Sequence, residues 1–269
     1  MFNLRASLQS VKFWFPLEIG RNSYLLMQLI RRDFRARFMG SALGVAWAVL
    51  QPLSLVILYW FVFTVMIPRG PGSSQPNYAL FLISGLLPWL GISEGLARAT
   101  TSIVENAAMV RRLPFRSEIL VVVPNASAIL FQSIAIALFL LFLLARGAPL
   151  RGLWLLPLAM LLQFLLQVGI GWLLAVTCVF VRDVTQVLGF VLSFAFYLSP
   201  ILYDVAGRYE AFFAWNPMTP LLGLFRAALL DAPLPQAGSI VFLMFVTTVA
   251  FAGGLLFFRR AQPGLADLI

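Results

Sequence analysis

Residues 42–67, 119–145, 152–181 and 232–258 contain no Asp, Glu, Lys or Arg. Each run exceeds the roughly 20 apolar residues that an α-helix needs to cross hydrocarbon. Residues 184–203 form a shorter run of the same kind, and 78–104 is apolar apart from Glu94 and Arg98. Overall the 269 residues are 61% apolar and 11% charged, against about 45–50% and about 25% in soluble domains. The expected fold class is an all-α integral membrane protein, with 1–269 as a single transmembrane domain. Its six helices are expected at about 42–67, 78–104, 119–145, 152–181, 184–203 and 236–258. A seventh apolar segment, 211–230, holds Asn216, Pro217, Pro220 and Arg226. Two prolines that close break a helical ladder, and freed backbone groups at membrane depth need protein or water partners. The stretch 204–231 is therefore expected to form re-entrant helices before the last span, not a crossing.

Charge placement sets the orientation. Arg5, Lys12, Arg21, Arg31, Arg32, Arg35 and Arg37 precede the first span; Arg111, Arg112 and Arg116 follow the second, Arg182 the fourth, and Arg259 and Arg260 the last. The other side carries Arg69, Arg146, Arg151, Arg208 and Arg226. Positive residues stay cytoplasmic, so both termini are expected inside and the first span to act as an uncleaved anchor. The net charge of +9 is then topological, and nucleic acid is not an expected partner. Several chemistries are excluded. Lys12 is the only lysine and no glycine of a phosphate loop precedes it, so a P-loop ATPase is not encoded here. There is no histidine, and Cys178 is the single cysteine, which removes His-based triads, intramolecular disulfides and thiolate zinc sites. No cofactor or metal is expected on this chain.

Asn22–Phe38 reads as an amphipathic helix. Leu26, Ile30, Phe34 and Phe38 recur every four residues, with Arg31, Arg32 and Arg35 on the other face and Arg37 off the pattern. Such a helix lies along the inner membrane surface, as a headgroup anchor or a contact for a cytoplasmic partner. The loop 105–116 combines Asn106, a good N-cap, with Pro114, which ends a helix. Met109, Val110 and Leu113 fall on one side of it and Arg111 and Arg112 on another. An apolar face of that kind suits docking into a groove. Glu94 and Arg98 are four apart within a span, where unpaired charges are costly, so they are expected to pair with each other. Outside, Tyr203, Trp215, Asn216 and Arg226 suggest a gate with irregular backbone. Tyr59, Trp60, Trp89, Trp172, Phe194, Phe196 and Tyr197 are candidate conduit aromatics, against the alternatives of an interfacial belt and ordinary packing. Gly40-x-x-x-Gly44 and Gly91-x-x-x-Gly95 permit close helix approach, within one subunit or between two.

The basic helix leads into Gly40-Ser-Ala-Leu-Gly44-Val-Ala-Trp47-Ala-Val-Leu-Gln51-Pro52; Glu105-Asn106-Ala107, Arg111-Arg112-Leu113, Arg182-Asp183, Ser199-Pro200 and Asn216-Pro217 follow. In that order the chain resembles the permease subunit of ABC-2-type exporters of lipid-linked polysaccharide, the group serving O antigen, capsule and wall teichoic acid. The resemblance implies a homodimer in the bacterial inner membrane, paired with two copies of a separate ATP-binding subunit that carries ATP and Mg. It further implies a lipid-linked polysaccharide as substrate and a periplasmic or outer-membrane export component beyond. Glu105, Asn106, Met109, Val110, Arg111, Arg112, Leu113 and Phe115 would form the coupling helix, and Arg31, Arg32, Phe34 and Arg35 would lie on the interface helix beside it. The segment 204–231 would be the periplasmic gate. One departure is the order Pro114-Phe115, which reverses the family's Phe-Pro. The rival readings are an ABC-2 permease for teichoic acid, lipid or drug, an ion-coupled secondary transporter, and a membrane-embedded enzyme. The second lacks midplane ionisable groups and repeats, and the third lacks paired carboxylates or metal ligands.

Overall fold

The computed structural model describes residues 15–37, 41–66, 77–112, 117–204 and 213–268, and every regular element among them is helical. Helix α1 is Phe15–Ala36; α2, Trp47–Phe61, runs into a π-helical turn, Val62–Met66. Helices α3 (Tyr78–Glu105) and α5 (Glu118–Ala145) flank the short α4 (Ala107–Arg112). A 3-10 turn, Leu153–Leu155, opens α6 (Leu156–Phe180), followed by α7 (Val184–Leu198), α8 (Met218–Leu230) and α9 (Ala237–Leu268).

Among the described residues four helices, α3, α5, α6 with its opening turn, and α9, are long and apolar enough to cross a membrane. The chain is a multi-pass membrane protein. Helices α2, α7 and α8 are apolar but shorter. The first and fifth charge-free runs exceed the helices they contain, for local reasons. The first begins in a turn and a 3-10 segment, Gly44–Ala46, with Gly44 at φ +51°. The fifth stops at Leu198: Pro200 disfavours a helical conformation at the residue before it, and Ser199 is extended at φ −95°, ψ 144°.

Helix α3 is the axis of the bundle. Every residue from Tyr78 to Trp89 except the half-buried Leu80 is buried, enclosed by α5, α6 and α8. Towards the N-terminal end of α3, Leu82, Ile83, Phe139, Leu143, Leu222 and Phe225 build one apolar core. Towards its C-terminal end, Ala99, Ile103, Val121, Val168, Trp172 and Phe258 build a second. A layer of buried amides, Asn125, Gln132, Gln163 and Gln167, lies between the two. A close backbone approach joins α6 to α9. A Cβ on Gly254 would sit 2.1 Å from the Gly169 carbonyl oxygen, and one on Gly169 would sit 2.5 Å from the Ala250 carbonyl.

Candidate functional site

Helix α1 is amphipathic as its spacing predicts. Leu26, Ile30 and Phe34 are half-buried, and Arg31, Arg32 and Arg35 are exposed. Phe38 lies outside the described residues. Leu29, which periodicity did not single out, is buried. Arg37 breaks the pattern because it turns inward: its guanidinium pairs with Glu94 of α3 and stands 3.9 Å from the Phe131 ring centroid of α5. One turn earlier on α1, Asp33 Oδ1 accepts from Arg98 Nη2 at 2.6 Å. The expected Glu94–Arg98 pair is present only as a long contact of 3.8 Å. Each of these residues takes its closer partner from α1, because two helices crossing there can present shorter geometry than neighbours one turn apart on a single helix.

The same end of the bundle carries α4. Leu113 and Phe115 fall outside the described residues. Asn106 does not cap α4 with its side chain. Its carbonyl receives the amides of Met109 and Val110 at 2.9 and 3.1 Å. Its Nδ2 reaches back to the Ser102 carbonyl at 2.8 Å, satisfying the end of α3 instead. Met109 and Val110 are partly buried against the second core, while Glu105 and Ala108 are exposed. Met109 and Val110 therefore anchor the short helix to the bundle, and Ala108 faces outward. Nearby, Arg259 of α9 bonds Glu118 at 3.2 Å, and the Glu118 carbonyl accepts the Trp172 indole at 3.1 Å.

At the opposite end, the break after α7 is held by side chains that donate to its carbonyls. Tyr203 reaches Tyr197 at 2.6 Å, Asn216 Nδ2 reaches Leu198 at 3.0 Å, and Tyr78 reaches Leu202 at 2.7 Å. Arg226 Nη2 takes Pro200 at 2.6 Å. Its guanidinium lies 3.6 Å from the Phe81 ring centroid, in space left by Gly85, where a Cβ would be 3.1 Å from Nη2. Asn216 also accepts the Met218 amide at 2.9 Å, starting α8. Three of the gate candidates, Tyr203, Asn216 and Arg226, thus converge on one turn, whereas Trp215 is 78% exposed and packs edge-on to Phe242.

The conduit aromatics separate by burial. Trp172 is wholly enclosed in the second core against Phe251, and Trp89 is buried beneath Phe196. Both fill space between helices of the same chain. Tyr59 and Trp60 are half-buried, the latter against Phe142. Phe194 and Tyr197, at 69% and 65% exposure, lie on the open side of α7, with Phe196 half-buried beside them.

Gly91 and Gly95 serve packing within the chain. A Cβ on Gly91 would be 1.8 Å from Gln132 Oε1, and one on Gly95 would be 2.8 Å from Asn125 Oδ1. Gln132 and Gln163 exchange two hydrogen bonds, of 2.9 and 2.5 Å. Charge-free runs hide these residues from a sequence reading. Gln163→Leu leaves one buried amide unpaired and should cost about 1–3 kcal/mol, while Gln132→Leu with Gln163→Leu should cost less than either alone. A double-mutant cycle on unfolding in mixed micelles measures this, and additive losses would contradict the pairing.

The family pattern of ABC-2 type transporters matches residues 24–230. The chain is 27% identical to the O-antigen export system permease protein RfbA of Myxococcus xanthus, covering 91% of this chain and 95% of that protein. It is 23% identical to the protein of that name in Klebsiella pneumoniae, with the same coverage. It is 26% identical to the polysialic acid transport protein KpsM of Escherichia coli, over 88% of this chain and 93% of that one. With that pattern running through α1, α3, the amide layer and the turn after α7, the chain belongs to the ABC-2 type transporter family.

Proposed function

We propose that this chain is the permease subunit of an ATP-driven exporter that carries a lipid-linked polysaccharide, O antigen or capsule, across the bacterial inner membrane. The observation that carries the reading is full-length alignment: relatives named for O-antigen export and polysialic acid transport align over 95% and 93% of their own length. Helices α2 and α7 complete six crossings. Helix α2 does so by extending through its π-helical turn, since about 20 residues are required. The end holding α1, α4 and Arg259 is cytoplasmic, as the arginine distribution requires, and the Arg226 turn forms the periplasmic gate before the last span. Two copies make the channel. Each docks a separate ATP-binding subunit that holds ATP and Mg, and a periplasmic or outer-membrane component receives the product.

Docking uses the exposed side of α4, with Arg111, Arg112, Leu113 and Phe115 continuing from it and Arg31, Arg32 and Arg35 beside it. Because Met109 also supports the core, the discriminating substitutions are at Glu105 and Ala108. Glu105→Arg with Ala108→Arg should abolish co-purification of the ATPase while the permease remains monodisperse in detergent. An undiminished complex would overturn the docking assignment. Export is read separately, as surface glycan restored to a strain lacking this subunit.

A further inference from the structure

We infer that Asp33, Arg37, Glu94 and Arg98 form a releasable clasp that must open for transport. The inference rests on the reading that a partner ATPase drives this chain. The observed pairs cross between helices: Asp33 with Arg98, and Arg37 with Glu94. They set one register of α1 on α3, because sliding either helix by a turn breaks both. Yet acid and base lie four residues apart on each side, Glu94 and Arg98 within α3, and Asp33 in α1 with Arg37 one residue past its end, a spacing at which they are able to pair. Arg98 Nη1 makes no hydrogen bond and already points to Glu94 of its own helix at 3.8 Å. Asp33 Oδ2 is likewise buried without a hydrogen bond, one turn from Arg37.

Breaking a partly buried ion pair is costly when it strands a charge. Here each of the four has an opposite charge four residues away on its own side of the clasp, so separation strands none. A purely structural tie has no use for that reserve.

Each ion pair also lines its own cavity. One, of about 310 Å³, has Arg37 and Glu94 in its wall together with Gln51 and Leu90. The other, of about 350 Å³, has Asp33 and Arg98 in its wall together with Arg32 and Glu105. Asp33, Arg37, Glu94 and Arg98 are accordingly positioning residues, which transmit displacement of α1 to the central helix.

The test uses the full complex in vesicles, with Cys178→Ala, Asp33→Cys and Arg98→Cys in the permease. A reducible bis-methanethiosulfonate linker spans the two new thiols. Linking should abolish export, reduction should restore it, and the ATPase should stay bound throughout. A static tie would tolerate the link, so undiminished export by the linked complex overturns the clasp. Should that variant fail to assemble, Arg37→Cys with Glu94→Cys makes the same test on the other pair. The rate of linking gives a readout free of cargo: it should fall severalfold when ATP is trapped on a hydrolysis-deficient partner, and an unchanged rate also overturns the clasp. If the rate responds to ATP but the unmodified complex exports no glycan, the cargo assignment fails and the clasp stands.

Discussion

Gly254→Leu is expected to leave no folded protein in the membrane. Helices α6 and α9 meet backbone to backbone, with the position of a Gly254 Cβ only 2.1 Å from the Gly169 oxygen. Small residues permit such approach between helices in lipid, where packing rather than the hydrophobic effect holds them together. Even Gly254→Ala forces the helices apart, and at the upper end of overpacking costs should lose about 3 kcal/mol. Leucine adds a branched side chain with nowhere to turn. Gly253→Ala is the internal control, since nothing lies within 4 Å of its Cβ position. Yield of monodisperse protein after detergent extraction, followed by thermal unfolding, separates these outcomes. Normal accumulation of Gly254→Leu would contradict the α6–α9 seam.

The second large effect is expected at Arg226. Its guanidinium combines a charged hydrogen bond to Pro200 with a ring contact on Phe81. A hydrogen bond to a charged group contributes about 1.5–3 kcal/mol, and a desolvated cation–π contact about 2 kcal/mol. Arg226→Met keeps the apolar stem and removes both. The two effects overlap, so a loss of about 3 kcal/mol is expected, roughly a hundredfold in local opening. Proteolysis of the outer segment should accelerate accordingly while the helices hold. Arg226→Lys should recover only part of the loss, because an ammonium lacks the planar fork that stacks on a ring while donating. Equal proteolysis rates in all three proteins would show that Arg226 does not pin the turn.

The bundle was largely legible in the sequence, and the pairing of its polar residues was not. Charge-free runs locate helices because hydrocarbon tolerates little else, so α3, α5 and α6 begin and end close to where those runs predict, whereas α9 continues past Arg259 and Arg260 to Leu268. The runs say less about where regular helix starts inside them, hence the shortfall at Gly44–Ala46 and after Leu198. Arg37 seemed irregular because periodicity assumes one buried face per helix, and the second contact of α1 comes from a helix far along the chain. Glu94 and Arg98 seemed sufficient to each other because sequence spacing displays only neighbours four apart; Asp33, 65 positions from Arg98, is not visible that way. Asn106 has the identity of an N-cap, yet it sits where two helices abut and its side chain serves the one that precedes it. Tyr203, Asn216 and Arg226 were recognisable as a group because a proline-interrupted segment needs donors for its freed carbonyls.

The reciprocal amide pair between α5 and α6 bears on how the chain enters the bilayer during synthesis. A lone glutamine facing lipid is costly, and Gln132 and Gln163 satisfy each other across helices joined only by the short connection 146–152. These two helices therefore leave the insertion machinery most favourably as a hairpin. The surface they form together, closed to lipid on its polar side, is the one on which Gly91 of the earlier-made α3 comes to rest.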